Sequence, residues 1–241
     1  MAKRIVIASG KGGVGKSTTA AGLGKALAKQ GVNTLLIDCD AGLASLDTML
    51  GCREFAAFGW YDVFSGSCAP ADAVTKVFDK LSLISAPAST VGTDSKSAVK
   101  ELVKALDGSF DVIITDSPAG LGTGVFRAAA AADYGLIIAT GDEISVRGAA
   151  AVDEKLREAG VLGTRLIINR YDLKAAKKGR LMSVDEIIDA SLVRLIGIIP
   201  EDDSLLYRGT KSKKNIAAGS FDRIAHRIMG KNVELKLTLL K

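Results

Sequence analysis

The sequence predicts a single doubly wound α/β sheet, mostly parallel, with helices on both faces. Three observations lead there. Short apolar runs alternate with helical segments almost from end to end, the runs are apolar on both faces, and a glycine-rich loop joins the first run to the first helix. Continuous apolarity marks strands buried on both sides by crossover helices, whereas alternation would mark a half-exposed sheet.

The expected strands are Arg4–Ala8, Thr34–Ile37, Leu81–Ser85, Val112–Thr115, Leu136–Ala139, Arg165–Ile168 and Leu195–Ile199. Between them, Ser17–Gln30, Ser95–Leu106, Val146–Ala159, Val184–Ser191 and Phe221–Met229 carry apolar residues at helical spacing. No linker or internal repeat is visible, so residues 1–229 read as one domain and 230–241 as a tail. Cys39–Trp60, rich in Gly and Ala with scattered acids, reads as irregular and mobile. The basic stretch Tyr171–Arg180 reads as an exposed loop or a helix end.

Composition narrows the function classes. With 48% hydrophobic and 24% charged residues the chain is globular in type. Glycine, at 26 of 241 residues, is high enough to expect turns or close approaches of backbone to a ligand. A net charge of +5 suits a polyanion such as nucleotide, nucleic acid or anionic membrane, without choosing among them. Aromatic residues, at 5%, are too few for a binder that stacks single-stranded bases. The three cysteines, Cys39, Cys52 and Cys68, form no C-x-x-C pair, which argues against a disulfide framework, a zinc site or an iron–sulfur carrier. Met1–Ser9 shows no cleavage site, and runs such as Tyr134–Thr140 fall far short of the roughly 20 residues of a membrane span. The expected location is cytoplasmic, with peripheral adhesion at the inner face of the cell membrane left open.

In open α/β sheets ligands bind at the carboxyl ends of the strands, so the segments after each strand carry the chemistry. After the first comes Gly10-Lys11-Gly12-Gly13-Val14-Gly15-Lys16-Ser17, then a helix. This is a P-loop, G-x-x-x-x-G-K-[ST]. Glycines let successive N–H groups turn inward around phosphates, and the helix N-terminus adds its dipole. Lys16 is suited to the β- and γ-phosphates of ATP, and the Ser17 hydroxyl to Mg²⁺. Lys11 is surplus to this cradle and reads as either an exposed loop cation or a charge offered to a neighbouring subunit's phosphate, as an arginine finger is. The second strand delivers Asp38 and Asp40 to the same crevice, with Asp38 near the metal; Asp47 reads equally as a helix cap. Val112–Thr115 ends at Asp116-Ser117-Pro118-Ala119-Gly120, a Walker B-like aspartate for Mg²⁺ followed by a turn able to sense a γ-phosphate.

The loop Lys11–Thr18, Lys-Gly-Gly-Val-Gly-Lys-Ser-Thr, resembles that of the deviant-Walker-A ATPases, the ParA/MinD group. The resemblance runs through nearly the whole chain in order. It implies Mg·ATP as ligand, an ATP-sandwiched homodimer in which Lys11 contacts the partner's nucleotide, and Asp40 as the switch residue that orients the attacking water. It also implies Asn169, Arg170 and Pro200 as adenine-side elements. Gly42-Leu43 with Leu46-Asp47, together with Asp116–Gly120, resembles the branch that positions the division septum, which implies protein partners of the division machinery and a membrane surface. The branch that sets flagellar number shares part of that pattern.

Relatives that segregate DNA use the same engine and would show salt-sensitive, ATP-dependent binding to nonspecific DNA. A carboxylate-activating ligase on this scaffold would need a small-acid pocket, for which the sequence offers no constellation. Members of the septum branch end in a basic amphipathic helix. Here Val233, Leu235, Leu237 and Leu239 alternate with polar residues, which is strand periodicity. His226 reads as structural and the cluster Arg208–Lys214 as a solvated surface.

Overall fold

The structure is a computed structural model, and it describes residues 1–87, 89, 95, 97–202, 205 and 216–235. Its strands are β1 (Lys3–Ala8), β2 (Thr34–Asp38), β3 (Thr75–Phe78), β4 (Leu81–Ile84), β5 (Val112–Asp116), β6 (Tyr134–Ala139), β7 (Gly163–Tyr171) and β8 (Leu195–Pro200). The helices are α1 (Lys16–Lys29), α2 (Leu46–Leu50), α3 (Trp60–Phe64), α4 (Ala98–Leu106), α5 (Thr123–Ala129), α6 (Glu143–Glu158), α7 (Leu173–Lys177), α8 (Val184–Ser191) and α9 (Ile216–Ile228), with a 3₁₀ turn at Arg53–Phe55.

The strands form one sheet in the order β3-β4-β2-β5-β1-β6-β7-β8. All pair in parallel except β3, which runs antiparallel to β4 at the edge. The chain winds from β1 toward β4, returns to β5 beside β1, then crosses to β6 on the other side. That reversal makes the carboxyl end of β1 the topological switch point, where open α/β sheets open a crevice.

Successive residues of each central strand feed opposite cores, which explains the continuous apolarity. Ile5 and Ile7 of β1 join Leu23 and Leu27 of α1 and Phe221 and Ile224 of α9. Val6 and Ala8 join Leu102 of α4, Val146 and Val152 of α6, and Ile187 of α8. Helix α8 starts where its sequence dictates. The Ser183 hydroxyl accepts from Glu186 N–H and the Glu186 carboxylate accepts from Ser183 N–H, a reciprocal capping box. Ser183→Ala is expected to lower the unfolding free energy by about 1 kcal/mol, seen as a reduced urea midpoint at unchanged slope.

Several expectations change. The segment Cys39–Trp60 is not wholly irregular, since it carries α2 and the 3₁₀ turn and ends at α3. Half of Tyr171–Arg180 is helical, because the Asp172 carboxylate accepts from the N–H groups of Lys174 and Ala175 and starts α7. Helix α6 begins at Glu143 and α9 at Ile216, each ahead of the expected start, while α4 begins at Ala98, later than Ser95. In the tail, residues 231–235 form no strand; the Val233 carbonyl accepts instead from Arg227 Nε at 2.9 Å. Leu237, Leu239 and the cluster Arg208–Lys214 lie outside the described residues.

Candidate functional site

Strand β1 ends at Ala8, and Ser9–Gly15 loops over to the start of α1. Gly13 and Gly15 have φ of 76° and 90°, a left-handed backbone that disfavours other residues and turns N–H groups toward one side. The loop is fastened at three places. Ser9 Oγ donates to the Lys11 carbonyl at 2.9 Å, Gly120 N–H donates to the Ser9 carbonyl at 2.9 Å, and Asn169 Nδ2 donates to the Val14 carbonyl at 2.7 Å. Against α6 the loop packs backbone to backbone, since a Cβ at Gly10 would meet the Gly148 carbonyl oxygen at 2.5 Å. A Cβ at Gly12, in contrast, would meet nothing nearer than Ala119 Cβ at 4.0 Å, so packing within the chain does not dictate glycine there.

Two charges meet beneath the loop. Lys16, only 8% exposed, forms no ion pair among the described residues. Burial lowers its pKa, opposed by the charges of Asp116 and Asp40. Asp116 ends β5, in register with Ile7 of β1 and Asp38 of β2. It is fully buried, and among the described residues neither carboxylate oxygen has a hydrogen-bond partner. Burial pushes its pKa up to about 7; the Ser17 hydroxyl lies near enough to lower it but forms no sound hydrogen bond, Asp38 and Asp40 raise it, and Lys16 lowers it. A buried carboxylate left in this state is costly unless a cation joins it.

Asp38, in register with Asp116, is engaged by the backbone around it. Its Oδ1 accepts from Asp40 N–H at 3.0 Å and its Oδ2 from Leu46 N–H at 3.1 Å, so the carboxylate holds the turn into α2. Burial raises its pKa, and those N–H groups pull it back. Its carbonyl accepts from the indole of Trp60 at 3.0 Å. Asp40 is half-buried, its pKa raised by burial and lowered by Lys16 and Arg127. Asp47 lies in the first turn of α2, bound to its neighbour Thr48.

Two residues of this region escaped the sequence reading. Arg127 of α5 is buried, stacks over the Trp60 ring at 4.9 Å and donates to the Cys39 carbonyl at 3.3 Å. The signal was there: one guanidinium inside the run Phe126-Arg127-Ala128-Ala129-Ala130. Asp142 caps α6, accepting from Ser145 N–H at 3.1 Å and Thr140 Oγ1 at 2.5 Å, and pairs with Lys11 Nζ at 2.9 Å. Burial alone would raise its pKa, but the bonds from Thr140, Lys11 and Ser145 outweigh that and hold it below the usual carboxylate range. Asp-Glu-Ile-Ser at 142–145 is a legible N-cap pattern. Cys39 carries no reactive thiolate, because burial and then Asp38 push its pKa well above the usual value.

Toward the far side of the crevice, Pro200 and Glu201 line a cavity of ≈ 560 Å³ with Tyr171, Leu173, Lys174 and Ile216. Arg170, at φ 54°, turns to Glu201, with bonds of 3.0 and 3.1 Å to one carboxylate oxygen. Asn169 points to the loop instead. Among the described residues no three His, Cys, Asp or Glu side chains gather to hold a metal by themselves. Mg²⁺ needs only one or two carboxylates when substrate phosphates supply the rest, and the unpartnered Asp116 oxygens beside Ser17 fit that pattern. Among the described residues no helix is long and apolar enough to cross a membrane.

Comparison with known proteins agrees with the fold. A family profile described as the CobQ/CobB/MinD/ParA nucleotide binding domain matches residues 5–214. The septum site-determining protein MinD of Bacillus subtilis is 36% identical over 251 residues, covering 98% of this chain and 92% of that protein. The MinC:MinD cell division protein complex of Aquifex aeolicus superposes with a TM-score of 0.88 at 34% identity, over 98% of this chain and 99% of that one. MinD from Pyrococcus horikoshii, complexed with Mg-ADP, superposes with a TM-score of 0.81 at 27% identity, over 95% of this chain and 96% of that one.

Proposed function

Because the chain belongs to the CobQ/CobB/MinD/ParA nucleotide-binding family, we propose that it is an ATP-driven dimerising switch that helps place the division septum. The observation that carries the nucleotide site is the buried Lys16 and Asp116: among the described residues Lys16 forms no ion pair, and neither Asp116 oxygen has a hydrogen-bond partner.

In this reading the N–H groups of Gly10–Gly15 cradle the phosphates, and Lys16 and the start of α1 neutralise them, with Ser17 and Thr18 beside them. Ser17 and Asp116 would hold Mg²⁺, with Asp38 near the ion and ordering the adjoining turn. The bound ion supplies neutralisation of charge on the transferring phosphoryl group. Asp40 orients the attacking water, and Pro200, with Asn169 and Arg170 behind it, borders the base pocket. Positioning and charge neutralisation suffice for phosphoryl transfer, so basal turnover is slow until a partner stimulates it. Lys11 completes the site of a second copy. A division-site protein is the partner class, as the complex formed by the Aquifex relative suggests, and recruitment is peripheral to the membrane.

Light scattering on size-exclusion fractions tests the switch. Mg·ATP is expected to give the mass of two chains and Mg·ADP the mass of one; one chain in both states overturns the dimer.

A further inference from the structure

A charge buried in a helix of small and apolar residues needs a reason, because removing it from water is costly unless neighbours receive it. Helix α5 runs Thr-Gly-Val-Phe-Arg-Ala-Ala, and Arg127 is its one charged residue, 7% exposed. Two neighbours receive its guanidinium. The ring of Trp60 lies against it at 4.9 Å, and the Cys39 carbonyl accepts from Nη2 at 3.3 Å. Both lie in the chain that follows β2, one on each side of α2. An apolar side chain would fill this space without burying a charge, so packing alone does not explain the arginine. A planar guanidinium can stack by its face while donating from its edge, and no other side chain combines the two.

The bond to Cys39 falls at a telling place. The Cys39 carbonyl and the Asp40 N–H belong to one planar peptide. Arg127 holds the carbonyl, and Asp38 Oδ1 accepts from the N–H at 3.0 Å, so both edges of the plane that leads into Asp40 are fixed. The residues before it are tied as well. The Asp38 carbonyl accepts from the Trp60 indole at 3.0 Å, and Cys39 N–H donates to the Asp116 carbonyl at 2.9 Å. Arg127 is anchored in turn to the other side of the site. Thr115 Oγ1 donates to the Ala128 carbonyl at 2.9 Å, which ties α5 to β5 beside Asp116. A Cβ at Gly124 would meet Pro118 Cγ at 2.3 Å, so the start of α5 sits directly on the turn at 116–120.

We propose that Arg127 is a positioning residue for ATP hydrolysis, holding the peptide between Cys39 and Asp40 from α5 so that Asp40 is aimed and moves together with the turn at 116–120. The inference rests on the function proposed above, in which Asp40 orients the water that attacks the γ-phosphate. Arg127 acts through the backbone, so it sets the rate of the chemical step and leaves nucleotide affinity to the glycine loop and Lys16. Trp60 is the other half of the device, since it braces the guanidinium and holds the Asp38 carbonyl with the same side chain.

Phosphate release by R127M and R127K under Mg·ATP tests this, with ADP affinity and the ligand-free melting temperature as controls. R127M fills the space without charge or donor. It is expected to lower kcat by about 30-fold, the scale of one buried hydrogen bond from a charged donor, with KM and the ATP dimer within about twofold of the parent. R127K keeps a donor for the Cys39 carbonyl but lacks the flat face, and is expected to recover to within about fivefold of the parent. That split between kcat and KM, with rescue by lysine, supports the role. An R127M with the parent's kcat overturns it, as does an R127K no better than R127M with KM raised in both, which leaves Arg127 a packing residue. Amide hydrogen exchange in the parent gives a second measurement that does not depend on how a variant folds. Residues 39–46 and 121–130 are expected to gain protection together when ATP replaces ADP, and protection gained by one segment alone overturns the coupling. A parent that turns over no ATP overturns the proposed function and this role with it, whereas equal turnover by parent and R127M removes only the role of Arg127.

Discussion

Lys16→Ala is expected to weaken Mg·ATP binding by about 10³-fold, or ~4 kcal/mol, the scale of two charge-assisted hydrogen bonds lost together. The structure sharpens the reason. Lys16 is buried at the start of α1 without an ion pair among the described residues, so its pKa is lowered by burial and only partly restored by Asp116 and Asp40. An anionic ligand arriving at the loop would find this charge already desolvated and in place. Titration with a fluorescent ATP analogue measures the loss, and calorimetric unfolding without nucleotide serves as the control. Because Lys16 costs desolvation and repays little of it in the free protein, the ligand-free melting temperature is expected to change by only a few degrees. Unchanged affinity would remove the loop from the site.

Lys11→Ala is expected to leave nucleotide binding near normal while lowering ATP turnover by about 10³-fold and abolishing the ATP dimer. The magnitude is the lower range for a cation supplied across an interface to a transferring phosphoryl group. In the free chain Lys11 is paired with its own chain's Asp142, with side chains 42% and 37% exposed. Pairs this exposed contribute about 0.2–1 kcal/mol, so the intramolecular partner is easily given up. Asp142→Asn is the complementary variant. It keeps the cap of α6, with the amide oxygen still accepting from Ser145 N–H and the amide nitrogen turned donor toward Thr140 Oγ1, but it removes the charge that holds Lys11, so dimerisation in ATP is expected at about two- to fivefold lower protein concentration. Turnover by Lys11→Ala equal to that of the parent would refute the action across the dimer.

The sheet was legible because its central strands are apolar on both faces, as Val112–Thr115 and Leu36–Ile37 illustrate, and because α1 and α8 carry their own boundaries in Gly15 and Ser183. Strand β3 was not, since Thr75-Lys76-Val77-Phe78 is four residues long and alternates, as an edge strand does. Helices α2 and α3 span five residues each, too short for a period to register. They are held from elsewhere, α2 by the Asp38 carboxylate on Leu46 N–H and α3 by the Trp60 indole on the Asp38 carbonyl. Helix α5 begins in Thr-Gly-Val-Phe and ends in alanines, with no stripe to read. In the site, residues fixed by phosphate chemistry stood out in the sequence. Arg127 and Asp142 act through tertiary neighbours, and a linear reading shows their type but not whom they meet.

The chain has a single tryptophan, and its surroundings make it a built-in optical probe. Trp60 is fully buried, bonded through its indole to the Asp38 carbonyl and covered by the Arg127 guanidinium. All ultraviolet emission excited in the indole band therefore originates one hydrogen bond from the segment expected to rearrange with nucleotide state. Buried indoles emit toward the blue, and a guanidinium over the ring makes the quantum yield sensitive to small shifts. Stopped-flow fluorescence can thus time each stroke of the switch in unlabelled protein, with mixing of ATP and of ADP giving the two directions separately.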